Sequence, residues 1–234
     1  MTDWVRMENL VVRRPNFVLS VPEWTVSPGG VFGVVGANGA GKTTLLELIP
    51  GLARADEGHL QVLGLDPIAN PVEVRSSVGF MSDDMPIFSE TVGRLMWFLS
   101  GYYPTWNDVL VGKLLDRFGL DERRSVTELS RGEGTRLRLI TALAFEPALL
   151  VLDEPCAGLD FEARRRLLET VLDIVRDPQR AVILSSHQLG DVERVADHVL
   201  ALSRGQVVAQ GTPDDLAGPS GNLEHAMGRW ERVG

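Results

Sequence analysis

A chain of 234 residues, 44% hydrophobic, with a formal net charge of −9 and a single cysteine, is long enough to bury one sizeable core. The acidic balance excludes a general nucleic-acid-binding surface, which needs a clustered surplus of Lys and Arg. Cys156 alone cannot build an internal disulfide framework and fits a reducing compartment. No window approaches the ~20 apolar residues of a membrane span, and residues 1–6 carry no apolar signal core, so a cytoplasmic chain with at most a peripheral membrane role is expected. No repeat, low-complexity tract or long polar linker divides the sequence, and one domain over residues 1–234 is expected.

Residues 4–12, 24–26 and 60–63 alternate apolar with polar side chains and predict antiparallel strands. Val31-Phe32-Gly33-Val34-Val35 is apolar throughout and predicts a buried strand, and residues 44–49 predict a helix. Between them runs Gly36-Ala37-Asn38-Gly39-Ala40-Gly41-Lys42-Thr43, which meets G-x-x-x-x-G-K-[ST] at every fixed position. Glycines let backbone N–H groups converge as an anion nest, a lysine adds a mobile cation, and the Thr43 hydroxyl suits magnesium. Asn38, Gly39, Ala40, Gly41, Lys42, Thr43 and Thr44 are therefore candidate ligands of a nucleoside triphosphate. A glycine-rich turn without a ligand is the competing reading, disfavoured by the strand-to-helix context.

Residues 92–99 and 108–118 show helical apolar spacing with Pro104 between them, predicting a helical lobe over roughly residues 84–140. From residue 136 the pattern becomes helix 136–145, strand 149–152, helix 161–176, strand 181–185, the signature of a parallel sheet whose strand ends carry a site. The strand at 149–152 ends in Asp153-Glu154. Asp153 suits magnesium, and Glu154 is placed to orient and polarise a water attacking a terminal phosphate. Arg164-Arg165-Arg166 fan over most of a helix circumference and are expected to be solvated.

Three further segments carry a family resemblance. Leu129-Ser130-Arg131-Gly132-Glu133 resembles the L-S-G-G-Q signature of ABC ATPases, Ala157-Gly158-Leu159-Asp160 their D-loop, and Ser185-Ser186-His187 their switch-histidine segment. With the phosphate loop and Leu152-Asp153-Glu154-Pro155 they occur in the family's order, and the resemblance covers nearly the whole chain. It implies an α/β P-loop NTPase with a RecA-like core, an antiparallel β-subdomain and an inserted helical subdomain. It implies an Mg-dependent ATPase in which Ser130 and Gly132 of one subunit close over the phosphate loop of another, head to tail, as homodimer or heterodimer. Glu154 and His187 would be its catalytic residues, Thr43 and Asp153 its metal ligands, and Asp160 would shape the subunit interface.

Two departures stand out. In Val78-Gly79-Phe80-Met81-Ser82-Asp83-Asp84, Asp83 falls where the family's Q-loop glutamine stands, and whether it takes over that metal contact is open. The aromatic that stacks on adenine has no clear counterpart, with Arg13 near the expected spacing and Phe17 the nearest ring. Glu133 replaces the usual glutamine and is expected to cap its helix. Tyr103-Pro104-Thr105-Trp106-Asn107 and Arg117-Phe118-Gly119-Leu120 look like the branch serving separate multidrug or lipid-type export permeases. Leu95, Met96, Trp97, Phe98, Leu99, Tyr102, Tyr103 and Trp106 form an aromatic-rich patch, read either as core of the helical lobe or as a seat for a permease's coupling helix. The resemblance thus implies the ATPase subunit of an exporter, held on the cytoplasmic face of the membrane by a transmembrane permease, with no nucleic-acid partner. The rival readings are a soluble ABC ATPase that assembles or remodels a protein complex and, disfavoured by the signature segment, a kinase.

Overall fold

The computed structural model describes residues 3–82, 89–218 and 223–233. Strands β1 (Val5–Arg14) and β2 (Phe17–Val26) form an antiparallel hairpin. Strand β3 (Val31–Val35) leads to helix α1 (Lys42–Leu48), and β4 (Glu57–Val62) returns antiparallel to β1. Helix α2 (Pro71–Ser77) precedes β5 (Val78–Met81), followed by α3 (Val92–Ser100), α4 (Asp108–Phe118) and α5 (Arg131–Leu143). Then come β6 (Leu149–Leu152), α6 (Phe161–Ile174), β7 (Ala181–Ser186), α7 (Leu189–Glu193), β8 (His198–Ser203), β9 (Gln206–Gly211), α8 (Pro213–Ala217) and α9 (Leu223–Val233).

Among the described residues the nine strands form one sheet in the order β4-β1-β2-β9-β8-β3-β7-β6-β5. The antiparallel portion joins the rest at one register pair, Ser20↔Gln206, where the Ser20 N–H donates to the Gly205 carbonyl at 2.7 Å. From β8 to β5 the strands are parallel, and their registers put the carboxyl ends of β3, β5, β6 and β7 side by side, where open α/β sheets bind ligands.

The apolar run of β6 is solid because helices or sheet cover it on both faces. Leu150 and Leu152 enter the core shared with α3, α4, α5 and α6. Leu149 and Val151 enter the core shared with α1 and the antiparallel strands. In β1 the buried positions run Val5, Met7, Leu10, Val12. The alternation skips a step at Asn9, at φ 48°, where the register of β1 against β4 shifts between Glu8 and Val11, and simple period-two reading of this segment misses it.

Helices α3 and α4 fall on the segments 92–99 and 108–118 expected to be helical, and α5 starts five residues earlier than its apolar periodicity suggests. The polar stretch Arg131-Gly132-Glu133-Gly134 is helical because Ser130 and Glu133 close a capping box. Elements beyond residue 186 carried no clear sequence signal. The three arginines divide: Arg165 pairs with Glu162 and Glu169 in solvent, whereas Arg164 turns inward toward Asp191, correcting the expectation of a uniformly solvated face.

The lobe reaches the sheet at Gly79 in β5, where a Cβ would sit 2.3 Å from the Ala142 carbonyl oxygen and 2.8 Å from Pro147 Cγ. Backbone meets backbone there and neither can yield cheaply. Gly79→Ala is therefore expected to lose about 2 kcal/mol or more in urea denaturation, whereas Gly112→Ala on exposed α4, with nothing within 4 Å of its Cβ, should be neutral or slightly stabilising.

Candidate functional site

The loop between β3 and α1 works through its glycines. Gly41 is the N-cap of α1 at φ 109°, and a Cβ there would meet Phe17 Cζ at 2.7 Å. No side chain caps the helix, leaving its first N–H groups for an anion. Ala40 points into the core and its N–H bonds the Ala37 carbonyl at 3.0 Å, so Ala40 shapes the loop from within. The cleft in front is about 420 Å³ and is lined by Phe17, Asn38, Gly39, Gly41, Lys42, Thr43, Thr44 and Glu154. Phe17 is the aromatic at this cleft. Arg13 is instead engaged by Glu57 at 2.5 Å, with its N–H on Asp56 at 2.6 Å.

Lys42 is only 6% exposed. Its Nζ donates to the Gly36 carbonyl at 2.8 Å and makes an ion contact with Glu154 Oε1 at 3.1 Å. Thr43 Oγ1 donates to Asp153 Oδ2 at 2.5 Å, while Ser185 Oγ donates to Asp153 Oδ1 at 2.6 Å. The same Ser185 hydroxyl accepts the Glu154 N–H at 2.8 Å. Both oxygens of the buried Asp153 carboxylate are thereby satisfied, which burial of a charge demands. Glu154 sits at φ 48°, a conformation that persists in a non-glycine residue only where its surroundings fix it. Its side chain lies between Lys42 and His187, whose Nδ1 is 2.7 Å from Oε2. Ser185 was legible only as part of a motif, and its bridging role depends on β6 and β7 being neighbours.

Ser130 and Gly132 lie elsewhere: neither lines the cleft. The Ser130 side chain accepts the Glu133 N–H and Glu133 accepts the Ser130 N–H at 2.8 Å, as expected of a capping glutamate. Arg124 pairs with the same carboxylate. The Ser130 N–H, more than the guanidinium, holds the Glu133 carboxyl below the usual carboxylate range. Gly132 packs beside Gly158 and Leu159, and the Arg131 side chain lies over Gly158, so the signature and D-loop segments share one surface. Asp160 caps α6 by accepting the Ala163 N–H at 2.8 Å. Asp83 lies outside the described residues.

The aromatic patch splits between its two readings. Leu95 and Met96 are core, and Tyr103 stacks on Phe145 with centroids 4.0 Å apart. Trp97 and Tyr102 are 75% and 66% exposed. A separate groove of about 170 Å³ is lined by Leu52, Phe80, Leu99 and Tyr103 among others. Among the described residues, no helix is long and apolar enough to cross a membrane.

Residues 19–157 match the family model described as "ABC transporter". The chain is 32% identical to the ABC transporter ATP-binding protein YtrB of Bacillus subtilis over 79% of this chain and 63% of the relative. It is 34% identical to the daunorubicin resistance ATP-binding protein DrrA3 of Streptomyces coeruleorubidus (84% and 64%). It is 36% identical to the energy-coupling factor transporter ATP-binding protein EcfA2 of Symbiobacterium thermophilum (86% and 73%). The chain thus spans somewhat less than two thirds of the first two relatives. A solved structure described as an ATP-binding subunit of an ABC transporter superposes with a TM-score of 0.88 at 24% identity, covering 97% of this chain and 99% of that one. The fold is that of these P-loop NTPase domains.

Because folding lowers the Glu133 pKa, its carboxylate adds stability above the unfolded value near ~4.3 and loses it as pH falls through the folded value. Glu133→Ala should cost about 1 kcal/mol at pH 7, and urea curves at pH 3 should show a smaller gap from the parent chain.

Proposed function

The chain belongs to the ATP-binding proteins of ABC transporters, and from that premise we propose that it binds and hydrolyses MgATP as one domain spanning residues 1–234, driving export through a separately encoded transmembrane permease. The observation that carries this reading is the chain of contacts Lys42–Glu154–His187 across the mouth of the phosphate cleft, with Thr43 and Asp153 joined beside it.

The N–H groups of residues 38, 39 and 41–44 hold the phosphates, the Ala40 N–H being taken by the Ala37 carbonyl, and Lys42 exchanges its carboxylate partner for phosphate oxygen as nucleotide enters. Thr43 and Asp153 are hard oxygen donors whose atoms already converge, the chemistry that magnesium selects. Among the described residues no group of three or more His, Cys, Asp or Glu side chains is placed to hold a metal. Thr43 and Asp153 would hold the ion there, with its other positions open to phosphate and water. When bound, the ion neutralises charge on the phosphates.

Released from Lys42, Glu154 accepts a hydrogen bond from the attacking water and orients it. His187, already held by Glu154, donates to the terminal phosphate. Phe17 lies where a base entering the cleft would stack. Ser130 and Gly132 come from a second copy or a related subunit, since their own chain keeps them off its cleft. Gly158 and Leu159 stand beside Gly132, and Asp160, next along the chain, shapes the subunit contact. Asp83, a candidate third metal group, rests on sequence alone.

Export is the direction we read, in keeping with a 34% identical relative named as a Nod factor export ATP-binding protein in Rhizobium etli. The exposed Trp97 and Tyr102 suit a permease helix, as aromatic anchors of the kind that dominate interfaces. On this reading the chain sits at the cytoplasmic face of a membrane.

Glu154→Gln keeps side-chain size while losing the charge that orients water and the ion contact with Lys42. Turnover should fall about 10²-fold or more, while MgATP binding persists and ATP alone shifts the chain to a dimer in sizing chromatography. Hydrolysis near the wild-type rate would remove Glu154 from the mechanism.

A further inference from the structure

A polar cluster outside the lining of the cleft is left unused by this mechanism. Asp191 on α7 is 5% exposed, and its Oδ1 stands 3.6 Å from Nη1 of Arg164 on α6, beyond hydrogen-bonding distance. Asp191 Oδ2 and Arg164 Nε are both buried without a hydrogen-bond partner among the described residues. Cys156 is 7% exposed and close to the same carboxylate. Burial, and then the Asp191 charge, push its thiol up to about 12. It therefore stays protonated and can only donate toward Asp191.

A desolvated carboxylate facing a guanidinium at 3.6 Å, each with an unfilled hydrogen-bonding position, is a poor way to stabilise a fold, because apolar residues would fill the same volume at lower cost. Its placement gives the cost a reason. Cys156 follows Glu154 by two residues, Asp191 follows His187 by four, and Arg164 follows Asp160 by four. The three side chains come from three separate segments, each leading out of a group assigned to the reaction or to the subunit contact.

We infer that Arg164, Asp191 and Cys156 form a positioning cluster that locks the segment carrying Glu154 against the segment carrying His187, tightening from its open 3.6 Å contact when the Asp160 segment is pressed by a second subunit. The inference rests on the ATPase reading. These residues touch no substrate; they act by setting the angle at which Glu154 and His187 present themselves, and small misplacements of reacting groups are costly. Tightening would fill the vacant Arg164 and Asp191 positions, and Cys156 supplies the remaining donor.

The test is steady-state ATPase kinetics of the full chain with thermal unfolding in parallel. Asp191→Asn is expected to lower kcat about tenfold while the KM for MgATP stays within about twofold. The Arg164→Gln/Asp191→Asn double variant should be no slower than the worse single, as for coupled groups. Cys156→Ser, which keeps a donor, should match wild type, and Cys156→Ala should lose kcat severalfold. Unchanged kcat in Asp191→Asn, or losses that multiply in the double variant, would overturn the inference. If Asp191→Asn does not fold, the Cys156 pair decides: equal kcat for Ser and Ala overturns it, and a deficit in Ala alone supports it. A wild-type chain without ATPase activity would overturn the ATPase reading itself and this inference with it, whereas the preceding failures leave that reading standing.

Discussion

The Asp153 carboxylate, gripped by Thr43 on one oxygen and Ser185 on the other, is the joint on which the site depends. A carboxylate this buried is tolerated only when both oxygens are satisfied. Satisfying them ties together the ends of three adjacent parallel strands: the phosphate loop after β3, the acidic pair after β6 and the switch segment at the end of β7. Ser185 also receives the Glu154 N–H, so the bond that fixes Asp153 also helps hold its neighbour at positive φ and turned toward Lys42. The contacts from Lys42 through Glu154 to His187 then follow from where the backbone has been put.

Such a joint forms only if the strands beneath it do not shift. The solid apolar runs of β3, β6 and β7 lock the register because both faces are buried, and a one-residue slip would turn every side chain into the wrong core. Gly79 keeps β5 and the helical lobe at backbone contact on the far edge. The fold spends its burial on a rigid platform and leaves charge and hydroxyl groups at its carboxyl edge.

What could be read in the sequence was what depends on neighbours along the chain. The phosphate loop, the acidic pair after a buried strand and the helices of the lobe each announce themselves within a dozen residues. The bulge at Asn9 interrupts a pattern that looked regular, and the start of α5 is set by a cap in a stretch too polar to read as helix. Arg164 looked like one third of a solvated triplet because its partner Asp191 is 27 positions away. Cys156 spoke only against a disulfide framework, because the carboxylate it faces lies on another segment. Ser185 is one of two adjacent serines, and only the pairing of β6 with β7 tells which of them meets Asp153. Long-range pairing is what a single sequence conceals.

The structure also separates two sets of residues that the family resemblance assigns to one reaction. Lys42, Thr43, Asp153, Glu154 and His187 converge, whereas Ser130 and Gly132 sit on a surface with the D-loop segment, away from their own cleft. Read as a composite site, the chain carries two complementary halves that only a second chain can complete. The most direct test mixes two inactive variants. Lys42→Ala spoils the cleft, and Gly132→Asp places negative charge on the opposing surface. A mixed dimer then holds one intact site, so an equimolar mixture should recover about a quarter of wild-type ATPase. A mixture as inactive as its parents, or a Gly132→Asp chain as active as wild type, would contradict the account.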